Sequence, residues 1–254
     1  ILPTVWGSPG FGAPKFVPQE FNRTRDIVQG LAADRAALLI LDYEPGYSAE
    51  LESVAGPFLQ DLRQRQLKLV TLTTRPASIA LGPRLLARHG FVAGEDVVHL
   101  GYLAGGMTAV RLFSDSPRAA FPGQFEDPEN AKLLGPIERL SDASALVVIS
   151  SSGERARVWA EQAPPLLGNA PLMMILSAGA EPLVRPYYEA PNPQVDALLT
   201  GLPAAMAYEQ AMGQPMEASS RWSAFGMGLL TAQGALLVGA VVGLVRWLLA
   251  LRKK

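Results

Sequence analysis

At 254 residues, 49% of them apolar, the chain has the material for one large domain or two small ones, and it does not belong to the disordered class. Its 22 basic and 23 acidic residues nearly cancel, so no global field recruits nucleic acid or an acidic lipid surface, and binding must come from local features. The absence of cysteine removes disulfides, thiolate nucleophiles, iron–sulfur clusters and cysteine-zinc sites; with only His89 and His99, no metal site is expected.

Residues 1–24 carry Pro3, Pro9, Pro14 and Pro18 with Gly7, Gly10 and Gly12 between them, which predicts an extended N-terminal arm. The sequence opens on Ile1, not Met, which leaves room for a signal peptide or a membrane helix upstream. Asn22-Arg23-Thr24 matches a glycosylation sequon, a pattern too short to carry weight alone.

Residues 25–215 read as one Rossmann-like α/β domain. After a short helix over 24–34, apolar runs alternate with amphipathic stretches, the pattern of a mainly parallel sheet covered on both faces. The strand candidates are Ala36–Asp42, Leu67–Thr73, Val97–Gly101, Ala145–Ser150, Leu172–Ser177 and Val195–Thr200. Helices are predicted over Ala49–Gln66, Ile79–His89, Ala104–Phe113, Arg155–Ala163 and Pro203–Met212; in the first, Leu51, Val54, Phe58, Leu59 and Leu62 fall at helical spacing. The long connection from Ala104 to Asp142 is where the chain would cross over, and it predicts a doubly wound six-stranded sheet in the order 3-2-1-4-5-6. Past its first helix, that connection reads as a proline-punctuated surface excursion.

In such sheets ligands bind beyond the C-terminal strand ends. Candidates there are Asp42 and Glu44 after the first strand, Thr74 and Arg75 after the second, and Ser151 and Ser152 after the fourth. Asp42 and Glu44 are a potential acidic pair for a divalent ion or a general base, with Arg75 placed for an anion. Short polar residues at strand ends equally serve as caps and turn formers, and that structural reading is preferred. Gly101-Tyr102-Leu103-Ala104-Gly105-Gly106 departs from the dinucleotide spacing and follows the third strand, so it reads as a tight turn. The sequence contains no Gly-x-Ser-x-Gly elbow, no His-Glu-x-x-His helix and no Gly-Lys-Ser/Thr phosphate loop. No catalytic residue and no cofactor is assigned.

From Trp222 to Val245 the chain runs 24 residues without a charge, about 36 Å as a helix and enough to cross a core of about 30 Å. Membrane lipid is therefore an expected partner. Arg246, Arg252, Lys253 and Lys254 follow the span, whereas Arg221 before it is offset by Glu217. The positive-inside rule then makes 246–254 a basic cytoplasmic tail and turns the domain outward. Ala235, Gly239 and Gly243 recur at four-residue spacing, as do Ala224, Gly228 and Ala232, which suits close approach of a second helix, from another subunit or from a second copy.

The runs Leu41-Asp42-Tyr43-Glu44-Pro45, Leu100-Gly101-Tyr102-Leu103-Ala104-Gly105-Gly106 and Ser177-Ala178-Gly179-Ala180-Glu181-Pro182-Leu183-Val184 resemble an uncharacterised family of bacterial membrane-anchored Rossmann-like α/β proteins with a C-terminal transmembrane helix. The resemblance covers most of the domain and the C-terminal helix, and implies no activity. The expected function is a non-catalytic accessory or scaffold subunit of a membrane protein assembly. The alternatives are an extracytoplasmic ligand-binding or sensory domain and, third, a carboxylate-dependent hydrolase or transferase.

Overall fold

A computed structural model describes residues 19–213 and 217–251. It begins with helix α1 (Gln19–Gly30) and then alternates strand and helix: β1 (Ala37–Asp42), α2 (Ser48–Gln64), β2 (Leu69–Thr73), α3 (Leu81–Arg88), β3 (Val97–Tyr102), α4 (Gly106–Asp115). After a series of short helical turns come β4 (Leu146–Ser150), α5 (Gly153–Gln162), β5 (Leu172–Leu176), α6 (Glu181–Glu189), β6 (Ala197–Thr200), α7 (Gly201–Met212) and α8 (Glu217–Leu251).

The six strands form one sheet in the order β3-β2-β1-β4-β5-β6, with every neighbouring pair parallel. The predicted order is the observed one, and the sheet is wholly parallel. All residues of β1, β2, β4 and β5 are buried, which is why these segments are continuous apolar runs. The two-residue period divides them between two cores. Leu39, Leu41, Val147 and Ile175 pack with residues of α1, α2, α3 and α7 on one face. Leu38, Ile40, Val148 and Met174 pack with residues of α4, α5 and α6 on the other.

Three local expectations change. The first helix spans Gln19–Gly30 rather than 24–34, because Phe21, Thr24 and Val28 form its buried face. The predicted N-terminal arm lies outside the described residues as far as 18, and residues 19–24 open α1. The excursion between α4 and β4 is packed, since Phe125, Leu134 and Ile137 fill the second core from successive turns. Helix α6 was missed in the sequence because it contains Pro182 and Pro186; Pro182 sits in the first turn, where no intrahelical donor is needed. Arg185, in the middle of α6, pairs with Glu181 and Glu189 on the same helix and with Glu20 on α1, which fastens α6 to its neighbour.

Helix α8 is one continuous element of 35 residues. Its first turns dock on the domain: Ala218 and Ser223 are buried, and Trp222 packs against the first core. Beyond them every residue from Leu229 to Leu244 is exposed; Leu236 is 75% exposed and Leu237 68%. The stretch Glu217–Leu244 has a mean hydropathy of 1.8 and is long and apolar enough to cross a membrane.

Candidate functional site

The strand order reverses between β1 and β4, so the crevice at their C-terminal ends is where this fold can receive a ligand. Asp42 ends β1 there, fully buried. A buried carboxylate needs donors, and β2 supplies them. The Thr74 amide donates to Oδ1 at 2.6 Å, the Thr73 hydroxyl lies 3.0 Å from Oδ1, and the Thr74 hydroxyl donates to Oδ2 at 2.7 Å. On the far side of Thr74, Arg155 Nη1 donates to its carbonyl at 2.9 Å and to its hydroxyl at 2.8 Å. The Thr74 hydroxyl has one proton, which it spends on Asp42, so it can only accept from Arg155. Asp42, Thr74 and Arg155 thus form a chain of fixed polarity from β1 through the β2 end to α5.

Glu44 does not join Asp42. It is half exposed and pairs with Arg75, so the two sequence candidates Glu44 and Arg75 meet each other and Asp42 lies in a separate network. Ser151 donates its amide to the Asp42 carbonyl at 3.3 Å. Ser152 is the N-cap of α5, accepting from the Arg155 amide, and its own amide donates to Ser150 Oγ at 3.0 Å. Gly153 follows because a Cβ there would lie 2.8 Å from the Ala180 carbonyl oxygen, so only glycine lets α5 start this close to the turn before α6.

Other polar groups are paired along β1 to β3 and helices α2 and α3. Tyr43, also fully buried, lies 3.3 Å through its hydroxyl from Glu52, which is held by Arg84 at 2.5 Å and Arg88 at 3.1 Å. Burial and the Glu52 charge push the Tyr43 hydroxyl far above the usual phenol range, so it stays protonated. Glu50 crosses from α2 to accept from the Ala178 amide at 2.7 Å. His99 shares a 2.7 Å hydrogen bond with Thr71 on the adjacent strand, and burial lowers its pKa. His89 caps α3, and burial together with the Arg88 charge lowers its pKa as well. Among the described residues, no three His, Asp or Glu side chains converge as a metal site would require.

Two hollows flank these networks. One of about 390 Å³ opens beside the crevice, lined in part by Thr74, Gly106, Met107, Ser152, Arg155 and Trp159. The other, about 870 Å³, lies where α8 meets the domain, and Arg63, Arg88, His89, Glu209 and Glu217 are among its lining. Its charges are engaged. Arg63 pairs with Asp96, and Arg88 with Glu52 and Glu217. Glu209, 2% exposed on α7, accepts from the Ala218 amide at 2.6 Å, the Ser219 amide at 2.9 Å and the Ser219 hydroxyl at 2.5 Å. It caps α8 from outside that helix.

Sequence reading singled out Asp42, Thr74 and Ser152, which the structure brings into one neighbourhood. It did not find Arg155, Glu52 or Glu209, whose partners are 81, 9 to 36, and 9 to 10 residues away in the chain. No spacing motif announces such contacts. The small-residue positions Ala235, Gly239 and Gly243 lie on the uncovered length of α8, where a Cβ added at either glycine would meet nothing within 4 Å. No protein-family model and no curated protein matches the chain, so what is established is an α/β domain on a six-stranded parallel sheet with one C-terminal helix long and apolar enough to cross a membrane.

Proposed function

We propose that the chain is a non-catalytic accessory or scaffold subunit of a membrane protein assembly, anchored by α8, with its domain outside and its basic tail in the cytoplasm. The resemblance to bacterial membrane-anchored α/β proteins belongs with this reading. The observation that carries it is the junction of α7 and α8. Glu209 caps a helix whose first turns are buried in the domain and whose continuation is an uncovered apolar rod, so domain and span are joined without a break in α8. A rigid junction suits a part that holds a surface at a defined angle to the membrane and to neighbouring subunits. The polar groups at the strand ends favour the same view, because the Asp42 oxygens are already bonded to an amide and two hydroxyls and Glu44 is paired to Arg75.

The test is to extract the full chain from its own membranes in mild detergent and measure native mass and protein composition. Partners at fixed stoichiometry are expected, with the α8 face of Ala235, Gly239 and Gly243 as the first contact to map. A lone monomer would overturn the reading. The second reading, an extracytoplasmic ligand-binding or sensory domain, is favoured by one observation, the open hollow beside Thr74 and Arg155.

A further inference from the structure

We propose that the hollow between the N-termini of α4 and α5 binds a small phosphate monoester carrying an apolar group. This goes beyond the subunit reading and does not depend on it.

Arg155 supplies the charge of the hollow. No carboxylate pairs with it among the described residues, and only its Nη1 is engaged, by Thr74. Its guanidinium is therefore a charge held in place by the Asp42–Thr74 chain yet left with free donors at the edge of the hollow. Arg157, the other cation of the lining, is paired on α5 with Glu154 at 3.4 Å and with Glu161 at 3.5 Å, so among the described lining residues Arg155 is the cation that no carboxylate holds. An anion is the complement of what remains.

Backbone donors add to that field. Helices α4 and α5 are each 10 residues long and bring their N-termini to the same hollow, which is lined by Gly106 of one and Ser152, the cap of the other. The N-cap of α4 is Gly105, at φ 118°, with no side chain to satisfy the first amides of the helix. At Gly106 a Cβ would meet nothing within 4 Å, so the backbone is open to approach. Donors arriving from two helices and an arginine suit a tetrahedral oxyanion better than a planar one.

The apolar part of the ligand follows from the remaining wall: Met107, Val110, Val158 and Trp159. Met107 is 59% exposed, an apolar side chain with no cover. Trp159 is fully buried, and its indole Nε1 has no hydrogen-bond partner among the described residues. A buried donor left unpaired is rare and marks a place where an acceptor is missing. A volume of about 390 Å³ accommodates a small organic molecule. The larger hollow at the base of α8 is less suited, since its arginines already face carboxylates.

The experiment uses the full chain in mild detergent with the tryptophan indoles labelled with ¹⁵N, the Trp159 resonance being assigned through Trp159→Phe. Phenyl phosphate is titrated, then inorganic phosphate, against chloride at matched ionic strength. The expected result is a saturable shift of the Trp159 indole resonance by phenyl phosphate, a weaker one by phosphate and none by chloride. Arg155→Gln should weaken binding about tenfold or more, the loss of one charge-assisted contact. Because Arg155→Gln also removes the bonds to Thr74, Met107→Glu serves as a second variant. It changes an exposed side chain, places a negative charge on the rim and should likewise weaken binding about tenfold by repulsion. No saturable shift, or an affinity unchanged in both variants, overturns the proposal and leaves the test of native partners untouched.

Discussion

Two buried carboxylates, at the strand-end crevice and at the junction of α7 and α8, are satisfied in the same way and serve different ends. Asp42 takes its donors from Thr73, which ends the neighbouring strand, and from Thr74 just beyond it, so its bonds lie at the C-terminal edge of the sheet and set the position of Arg155. Glu209 takes its donors from the first turn of another helix, so its bonds join two elements that the chain itself connects only through a short segment. An acidic residue at a strand end invites a catalytic reading, and one in the last turn of an apolar helix invites none. The hydrogen bonds make Asp42 a structural anchor and Glu209 the fastening between domain and α8.

The largest effect is expected from Asp42→Asn, which puts a donor in place of one accepting oxygen, facing either the Thr74 hydroxyl or, turned over, the Thr73 hydroxyl and the Thr74 amide. With a buried amide or hydroxyl left unpaired, the cost is about 3 kcal/mol, read as a lower midpoint in chemical denaturation of the full chain. A change below about 0.5 kcal/mol would show that the network is not a stabilising anchor. Glu209→Gln should cost somewhat less, about 2 kcal/mol, because two of its three donors, the amide and hydroxyl of Ser219, are only partly buried and can turn to water. Its sharper signature is local: amide hydrogen exchange over 218–223 should speed up more than exchange in β1 and β4. Uniform acceleration would remove the special role given to the junction.

Acidification is expected to act more weakly on both regions. His89 and His99 have folded-state pKa values below the ordinary 6.5, so the unfolded chain binds more protons than the folded one between the two values. Stability from these residues is complete above pH 6.5 and falls as pH drops below it. Thermal unfolding followed from pH 7.5 to pH 5.5, about one pH unit either side of 6.5, should therefore show a declining midpoint. His89→Asn with His99→Asn should flatten that slope, and an unchanged slope would assign it elsewhere. The smallest effect belongs to Glu44→Gln. Its pair with Arg75 is half exposed, so the loss should stay within about 0.5 kcal/mol. A much larger loss would return Glu44 to the list of functional candidates.

The sheet was legible because its strands are buried on both faces, and burial on both faces writes a continuous apolar run such as Ala37-Leu38-Leu39-Ile40-Leu41 into the chain. The strand order followed from one long connection, and α8 from a charge-free stretch. Helix α6 was not legible, since Pro182 and Pro186 argue locally against a helix that Arg185 and its three glutamates hold in place. The candidate residues at the strand ends were found, but their pairing was not: Asp42 and Glu44 are two positions apart in the chain and belong to separate networks.

What the sequence by itself determined is what depends on periodicity and local composition: a mainly parallel sheet with apolar strands, its amphipathic covering helices and a helix able to cross a membrane. Which polar side chain meets which was decided only by tertiary structure. Hydrogen bonds and ion pairs act over about 3 Å in space with no preference in sequence distance, so Arg155 reaches Thr74 across 81 positions and Glu209 reaches α8 across 9. The open hollow beside Arg155 exists only once the end of β2 and the starts of α4 and α5 have come together.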